Sequence, residues 1–426
     1  MSETTNKSNN EISFKIGMVA PTGVGKTSLL TAICDEVQQR VAEQSLEFWP
    51  KGQRTQEAMS RARAEFHSAM NTSDNLFTVP KLQPTSDITE FEYTVSVLPT
   101  RDGSDTLKIS FDILDYPGSM LGKVEFAEKV TPHLRDSVAL LVPISADILM
   151  DWYNTKDLND TRNKQRNALA NMMLDVDNVL LAIRNWFGEK VRRNQKAQLY
   201  FVPVKCEKCF DDNGGRFDMS AKLHDAVCER YVNPLKLNEA QRSLIQINVF
   251  YIDTYGVVEL RDIEMKDIDN TLVSTFQRRT NMGKNLRTKN AYELLMNILK
   301  FQMEDKLHSA KDQRVIYNDE LINTGTKVET TTVQLGNTCE AKDNRVNNYT
   351  LGEKIWFYFV PDKTLEEFDK RIKNLQAQII AGKETQAKLQ GLLAQNKQNC
   401  DRYGEAIKLL TSLINDMPNR QEKVYV

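Results

Sequence analysis

The chain has 426 residues, of which 40% are hydrophobic and 27% charged, so it can bury a large core and is expected to form two or more domains. Its formal net charge of −2 gives no overall attraction to nucleic acid, which is therefore not an expected partner. Six scattered cysteines do not indicate a disulfide framework, and with no secretion signal or membrane-spanning apolar run in sight, a cytoplasmic location is expected.

The first predicted elements are a strand, a loop and a helix. Residues 1–11 are polar and predict a disordered tail. Apolar residues alternate from Phe14 to Met18, which predicts a strand, and a helical pattern follows from about Thr27 to Val41. Between them lies Ala20-Pro-Thr-Gly-Val-Gly-Lys-Thr27, which matches the phosphate-binding pattern GxxxxGK[ST] except for Ala20 at the first position.

Each residue type in this loop suits the binding of phosphate. Gly23 and Gly25 allow backbone N–H groups to turn inward around the phosphates, and Lys26 can reach their outer oxygens. The hydroxyl of Thr27 is placed to bind Mg²⁺. The predicted nucleotide-binding residues of the segment are Gly23, Val24, Gly25, Lys26, Thr27 and Ser28. The loop therefore predicts binding of a nucleoside triphosphate with Mg²⁺.

A β-hairpin is predicted after a helix-prone insert at about residues 52–70. Residues alternate between apolar and polar over 91–97 and again over 107–113, on either side of a turn at Asp102-Gly103. The two segments most simply pair as antiparallel strands.

The second strand leads into Phe111-Asp-Ile-Leu-Asp-Tyr-Pro-Gly118. At the strand end, Asp115 can hold Mg²⁺ through water, and Gly118 can offer its N–H to the terminal phosphate. This is the Asp-x-x-Gly pattern of GTP-binding proteins. Together with the loop, it predicts a nucleotide-dependent switch.

The chain then alternates between strands and helices. Largely continuous apolar runs at 138–144, 199–204 and 245–252 predict strands buried on both faces. Helical patterns occupy about 160–193 and 220–231. This alternation predicts an α/β fold with a doubly wound, mostly parallel sheet to which the hairpin adds an antiparallel strand.

Two segments at the ends of later strands are candidates for recognition of the base. Val204-Lys-Cys-Glu207 lies where GTPases carry [Asn/Thr]-Lys-x-Asp, so Lys205 could pack over guanine and Glu207 could accept hydrogen bonds from it. Val204 and the longer Glu207 both depart from that pattern. Asp253-Thr-Tyr-Gly256 stands where the last guanine-contacting loop would fall, with Thr254 as the predicted contact.

The order of these motifs resembles that of the TRAFAC-type P-loop GTPases, and most closely the bacterial double-GTPase-like proteins, over roughly Ile12 to Lys306. The resemblance implies a bacterial GTP-binding protein of signalling or defence that hydrolyses GTP to GDP with Mg²⁺. The roles it implies are phosphate and Mg²⁺ binding for Lys26 and Thr27, switch II for Asp115 and Gly118, and base contacts for Lys205 and Glu207.

A switch I threonine, which binds Mg²⁺ only in the triphosphate state, is expected at Thr85 in preference to Thr89. Ser119 follows the switch glycine, where Ras-like GTPases usually carry a water-orienting Gln. We therefore expect slow hydrolysis until a partner or a second copy supplies the missing group.

The C-terminal third predicts an interaction module after a nucleotide-binding domain at 12–308. Residues 309–361 are polar and predict a small region with short strands, such as 355–360. Residues 362–418 carry an apolar a/d register that Gly382 interrupts, so a helical hairpin turning near Ala381-Gly382 and an intermolecular coiled coil both fit. Either would serve a protein partner or a homo-oligomer, and 419–426 is read as a tail.

Three alternatives accompany this interpretation. The same loop could serve an ATPase, with Asp112 or Asp115 as its second acid. The protein could also be a nucleotide-bound scaffold that does not hydrolyse. Finally, Cys206, Cys209, His224 and Cys228 have spacing compatible with zinc, although zinc is not favoured because Cys206 lies inside the proposed base loop.

Overall fold

The structure, a computed structural model, describes residues 11–41, 46–70, 76–78, 88–98, 106–211, 215–254, 256, 258–266, 271–279, 288–359, 361–415 and 421–423. The chain divides into two compact units, one formed by residues 1–302 with 409–426 and the other by residues 303–408. Among the described helices, none combines the length and the apolar character that a membrane span requires.

The strands belong to two sheets in the first unit. In chain order they are β1 (Glu11–Met18), β2 (Leu46–Pro50), β3 (Leu76–Thr78), β4 (Thr89–Val97), β5 (Leu107–Asp115), β6 (Ser137–Ser145), β7 (Ala197–Val204), β8 (Ile245–Phe250), β9 (Val258–Lys266), β10 (Thr271–Arg278) and β11 (Gln421–Lys423). The larger sheet has the order β11-β8-β7-β6-β1-β5-β4-β2, and the smaller has the order β3-β10-β9.

Parallel pairing dominates the larger sheet. The five neighbouring strands from β8 to β5 are parallel, whereas β4 and β2 are antiparallel at one end and β11 is antiparallel at the other. The predicted hairpin is present as β4 and β5, with Thr94 opposite Ser110. The predicted α/β class with a mostly parallel sheet and a C-terminal helical region is thus confirmed. The smaller sheet, which is antiparallel, was not predicted.

The helices, in chain order, are α1 (Lys26–Val41), α2 (Gln53–Met70), α3 (Thr131–Asp136), α4 (Ala146–Thr155), α5 (Thr161–Leu174), α6 (Val176–Arg192), α7 (Asp218–Val227), α8 (Glu239–Leu244), α9 (Ala291–Asn347), α10 (Leu351–Phe359) and α11 (Lys363–Asn415). The helical pattern over 160–193 forms two helices, because Asp175 takes a left-handed conformation with φ of 43° between α5 and α6.

Both faces of the larger sheet are covered, as its continuous apolar strands predict. On one face, Leu140 and Val142 of β6 belong to a buried cluster with side chains of α4, α6 and α7. On the other face, Leu141 and Tyr200 are fully buried as well. Such burial on both sides is typical of parallel strands packed between helices.

The order of the strands in the larger sheet determines where the candidate site lies. After β1, the chain pairs β5 on one side of β1 and then crosses to pair β6 on the other side. Because the parallel strands point the same way, their carboxyl ends lie along one edge, and the crossing makes a topological switch point there. Ligands of open α/β sheets bind at such a point, and here the loop after β1 occupies it.

The second unit is an antiparallel helical hairpin. Residues of α9 meet residues of α11 with a consistent register: Lys342 forms an ion pair with Asp369, and the side chain of Gln386 lies beside Gly325. On α11, Leu375, Ile379 and Leu389 are buried, as the predicted a/d register requires.

Some C-terminal predictions differ from the structure in detail. The short strands predicted within 309–361 are absent from its described residues, because α9 continues through Asn347 and α10 follows. The turn near Ala381-Gly382, one of the two alternatives for 362–418, is also absent, since α11 runs unbroken through Gly382. A Cβ at Gly382 would collide with Cγ2 of Val328, so this glycine permits close approach of α9. Within the predicted tail 419–426, residues 421–423 form the edge strand β11.

The substitutions Gly382→Ala and Gly391→Ala make the same change in the same helix, α11. Their surroundings differ: a Cβ at Gly382 would meet Val328, whereas nothing lies within 4 Å of a Cβ at Gly391. Alanine gains about 1 kcal/mol of helix propensity at either position. We expect Gly391→Ala to raise the melting temperature measured by circular dichroism and Gly382→Ala to lose that gain through contact with Val328. An equal rise in both variants would contradict the close approach of the two helices.

Candidate functional site

The loop after β1 has the backbone that its glycines predict. Gly23 and Gly25 have φ of 80° and 111°, a region in which residues with side chains are strained. Lys26, at the start of α1, is buried, and its Nζ donates hydrogen bonds to the carbonyl oxygens of Ala20 (3.1 Å) and Pro21 (3.0 Å). Burial lowers the pKa of Lys26 to about 8, although Asp115 acts in the opposite direction. An anion at the loop would favour the charged form of this amine.

The loop and the end of β5 meet through one hydrogen bond. Thr27 Oγ1 donates to Asp115 Oδ2 at 2.8 Å, and Asp115 is buried. Because β5 pairs directly with β1, the end of one strand lies beside the loop that follows the other. Asp112 is not at this edge. It lies within β5 opposite Glu92, and burial, together with the charges of Glu90 and Glu92, raises the pKa of Asp112.

Gly118 lies directly against the loop. A Cβ at Gly118 would overlap the backbone of Pro21 and Thr22, so only glycine permits this approach. The neighbouring Tyr116 is fully buried, and its hydroxyl oxygen accepts a hydrogen bond from the N–H of Ala20 at 3.3 Å. Ser119, the next residue after Gly118, is exposed. The segment after β5 therefore contacts the loop after β1 at two points.

Lys205 also reaches the loop. It follows β7 with φ of 62°, an uncommon conformation for a residue other than glycine. Its Cε lies 3.9 Å from the position of a Cβ at Gly25, so its aliphatic stem passes beside the loop. Burial lowers the pKa of Lys205, while Asp147 and Glu207 act in the opposite direction. The predicted base loop and phosphate loop are therefore neighbours.

Glu207 connects two predicted base-binding segments. Its carboxylate is buried, and Oε1 accepts a hydrogen bond from the N–H of Gly256 at 2.9 Å. Thr254 is also buried in this segment, and within the described part of the chain its Oγ1 makes no hydrogen bond. Val204, which stands in place of the usual Asn or Thr, is buried at the end of β7.

The remaining predicted residues are placed as follows. Val24 and Ser28 are buried beside the loop residues already described. Thr85, the predicted switch I residue, and the turn at Asp102-Gly103 lie outside the described residues. Thr89, the alternative to Thr85, begins β4 opposite Asp115.

The cysteine and histidine candidates for zinc do not converge. His224 Nε2 and Cys228 Sγ are 3.4 Å apart, and His224 Nδ1 lies 2.8 Å from the hydroxyl of Tyr251. Cys206 instead donates its S–H to the carbonyl oxygen of Pro203. Over the described residues, no three His, Cys, Asp or Glu side chains are arranged to hold a metal ion.

The helix that follows the loop is anchored to the start of α9. Glu36 of α1 is buried, and its Oε2 accepts hydrogen bonds from the N–H groups of Ala291 (2.8 Å) and Tyr292 (3.1 Å). These are the first N–H groups of α9, which have no partner within the helix. Glu36 therefore caps α9, and Arg40 donates to its other carboxylate oxygen at 2.9 Å.

The residues just before α9 are held by the segment after β8. Lys289 and Asp253 exchange two backbone hydrogen bonds of 3.0 and 3.2 Å. Asn290, which has φ of 70°, donates through Nδ2 to the carbonyl oxygen of Tyr251 at 3.0 Å. Both α1, which follows the predicted phosphate-binding loop, and a predicted base-binding segment therefore fix the start of α9.

Sequence reasoning missed the roles of Tyr116 and Glu36, and it missed the approach of Lys205, a predicted base contact, to the loop after β1. Tyr116 stands inside the quoted motif, so its position could have been noticed. The approach of Lys205 to the loop and the capping of α9 by Glu36 depend on contacts between residues far apart in sequence, 255 apart for Glu36 and Ala291. Local patterns carry no signal for such contacts.

Comparison of this chain with protein-family models and with curated proteins finds no match.

The raised pKa of Glu36 predicts how the stability of the protein depends on pH. Burial raises its pKa to about 7 from the usual 4.5, and Glu293 acts in the same direction. The contribution of Glu36 to stability is therefore fully present below about pH 4.5 and is lost as the pH rises through about 7. Glu36→Gln keeps a side-chain oxygen that can accept from these N–H groups without ionising, so the stability of this variant should fall less than that of the wild type between about pH 5 and pH 8.

The measurement is the melting temperature across this pH range for the wild type and for two variants. Glu47→Gln is the control, because Glu47 is an exposed residue of β2. It should reproduce the pH dependence of the wild type. A Glu36→Gln profile parallel to the wild type would contradict the assigned role of this carboxylate.

Proposed function

We propose that the protein is a GTP-binding switch that hydrolyses GTP slowly with Mg²⁺ and passes its nucleotide state to the C-terminal helices. The proposal includes a P-loop GTPase fold of the kind that the sequence resembles. The observation that carries it is the hydrogen bond between Thr27 and Asp115 (2.8 Å), which brings a loop hydroxyl and a strand-end carboxylate together beside the phosphate loop.

The oxygen atoms at this point fit Mg²⁺. Magnesium prefers oxygen ligands and is usually held by one or two protein groups together with phosphates and water. Thr27 and Asp115 would hold the ion here, and Thr85 remains the proposed switch I ligand. When bound, Mg²⁺ would neutralise charge that develops on the phosphates during transfer. Lys26 would bind phosphate oxygens, and Gly118, which packs against Pro21 and Thr22, would offer its N–H to the terminal phosphate.

Slow hydrolysis is expected because Ser119, rather than a Gln, follows Gly118. Phosphoryl transfer depends largely on the positioning of the water and on charge stabilisation. Ser119 is exposed, and its short side chain would not reach as far as the Gln usual at this position. A group from a protein partner or a second copy would complete the site.

Transmission to the C-terminal helices has a direct physical route within the first unit. The start of α9 is bound to α1 through Glu36 and to the segment after β8 through Asn290 and Lys289. A nucleotide that moves either segment would shift these hydrogen bonds. Helix α9 then continues into the second unit, where it pairs with α11.

An ATPase is the second candidate, and one observation favours it. Glu207, the proposed guanine contact, already accepts a hydrogen bond from Gly256. With Val204 in place of Asn or Thr, the base loop has fewer groups that would select guanine. Competition of unlabelled GTP and ATP for the purified protein decides between the two. Under the GTPase proposal, GTP competes at least about tenfold better, and Glu207→Ala reduces that preference.

Asp115→Asn and Asp112→Asn test the catalytic assignment with the same substitution in the same strand. Only Asp115 contacts Thr27. We expect Asp115→Asn to lower kcat/KM for GTP by about 100-fold, equivalent to about 2.7 kcal/mol of transition-state stabilisation, and Asp112→Asn to change it by less than about threefold.

The assay is release of inorganic phosphate from GTP in the presence of Mg²⁺, with melting temperatures checked for both variants. Equal losses in the two variants would contradict the assignment. So would an Asp115→Asn variant that folds normally and keeps the wild-type rate.

A further inference from the structure

Tyr116 is a fully buried residue in the turn between the end of β5 and Gly118. Its ring packs edge to face against the ring of Phe126, with the two centroids 5.3 Å apart. Both rings belong to the buried cluster that also contains side chains of β6, α4 and α6. A phenylalanine would satisfy the same packing. The contacts of the hydroxyl and of the ring with the loop after β1 therefore need a separate explanation.

The hydroxyl of Tyr116 binds the loop where it begins. The N–H of Val19 still donates to a carbonyl of the sheet, that of Leu141 in β6, at 2.9 Å. The next N–H, that of Ala20, donates to the oxygen of the Tyr116 hydroxyl at 3.3 Å. Ala20 is fully buried, so its N–H needs an acceptor within the protein. The hydroxyl provides that acceptor.

The ring of Tyr116 contacts the amine of Lys26. Nζ lies 5.2 Å from the centroid of the ring, which is within the range of a cation–π interaction. The same Nζ donates hydrogen bonds to the carbonyl oxygens of Ala20 and Pro21. An aromatic face favours the charged form of an amine, whereas burial disfavours it. The ring therefore acts against the effect of burial on Lys26.

These contacts hold Ala20 at both of its backbone polar groups. Its N–H is bound by the hydroxyl of Tyr116, and its carbonyl oxygen is bound by Lys26, whose amine lies beside the ring of the same tyrosine. Ala20 stands at the first position of the phosphate-binding pattern, where glycine is usual. A loop that is already fixed in its binding shape loses less conformational freedom when a ligand binds.

We propose that Tyr116 is a positioning residue for phosphate binding. Its hydroxyl fixes the start of the loop at Ala20, and its ring holds the ammonium group of Lys26 on the same segment. Tyr116 acts through these two residues and does not need to touch the ligand. The inference rests on the proposed function, because it requires that this loop bind phosphate.

The first test compares Tyr116→Phe with Tyr200→Phe. Tyr200 is also fully buried, and its hydroxyl donates to Oε1 of Gln198 at 2.8 Å, so each substitution removes one buried hydrogen bond. The ligands are GTP and inorganic triphosphate, each titrated with Mg²⁺ into the purified full chain. We expect Tyr116→Phe to weaken both ligands by about fivefold and Tyr200→Phe to stay within about twofold of the wild type. The two ligands should lose affinity alike, because the loop holds phosphate and not the base.

The second test needs no nucleotide. Amine-reactive reagents modify the uncharged form of lysine, and mass spectrometry gives the rate at each position in the folded protein. Lys190 is the internal reference for Lys26. It is buried as well, its Nζ lies 5.5 Å from the centroid of the Trp186 ring, and burial lowers the pKa of both lysines to about 8.

Tyr116→Leu removes the ring, so we expect the modification of Lys26 to rise at least about threefold relative to that of Lys190. Tyr116→Phe keeps the ring and should leave this ratio unchanged. A general loosening of the fold would instead raise the rates at both lysines, which separates the positioning role from a merely structural one.

Three results would overturn the inference and leave the proposed function intact. One is a folded Tyr116→Phe variant that binds both ligands like the wild type. Another is a loss of affinity for GTP with none for triphosphate, and the third is an unchanged ratio of Lys26 to Lys190 modification in Tyr116→Leu. A wild-type protein that binds neither ligand would refute the proposed function itself, and the inference with it. Melting temperatures confirm that each variant is folded.

Discussion

The hydrogen bond between Thr27 and Asp115 is the contact on which the site depends. It joins the loop after β1 to the end of β5, and it exists because these two strands pair in parallel. The same parallel arrangement brings the end of β7 to the loop, where the stem of Lys205 passes beside Gly25. Residues that are 88 or more positions apart thus share one edge of a sheet.

Burial changes the pKa values of the lysines at this edge of the sheet. Lys26 and Lys205 are both desolvated, which lowers their pKa values, while Asp115 acts against that effect at Lys26. Such a site favours a bound anion, because negative charge nearby stabilises the protonated amines of these buried lysines. The close packing of Gly118 on Pro21 and Thr22 adds a steric requirement, because no other residue fits at that position.

The start of α9 connects this edge to the rest of the chain. Glu36 binds its first N–H groups from α1, and Asn290 ties it to the segment after β8. A buried carboxylate next to Glu293 is a costly way to cap a helix, as the raised pKa of Glu36 indicates. The proposed transmission from the site to α9 depends on these hydrogen bonds.

The sequence predicted the elements whose patterns are local. The strand, loop and helix around Ala20–Thr27 and the hairpin before Asp115 follow from apolar alternation and from glycine chemistry. It did not predict the helical course of residues 309–347. Threonine has low helix propensity and fills several positions there, but Thr326, Thr330, Thr331, Thr332 and Thr338 each donate to the carbonyl four residues earlier.

Packing against α11 also explains why residues 309–347 are helical. Tyr317, Leu321, Val328 and Leu335 recur with spacings of four and seven residues, and threonines occupy positions between them. If threonine is counted with the apolar residues, a three-and-four spacing emerges that predicts the seam. Gly382 was misleading for a related reason, because a glycine that permits close approach has the same local signature as one that permits a bend.

The proposed function requires that the edge formed by Thr27, Asp115 and Lys26 bind a nucleotide together with Mg²⁺. Equilibrium titration of the wild-type protein with a fluorescent GTP analogue, in Mg²⁺ and again in excess chelator, measures this binding. We expect saturable binding of one nucleotide per chain in Mg²⁺ and an affinity at least about tenfold lower in chelator. Absence of saturable binding, or an affinity that does not change when Mg²⁺ is removed, would contradict it.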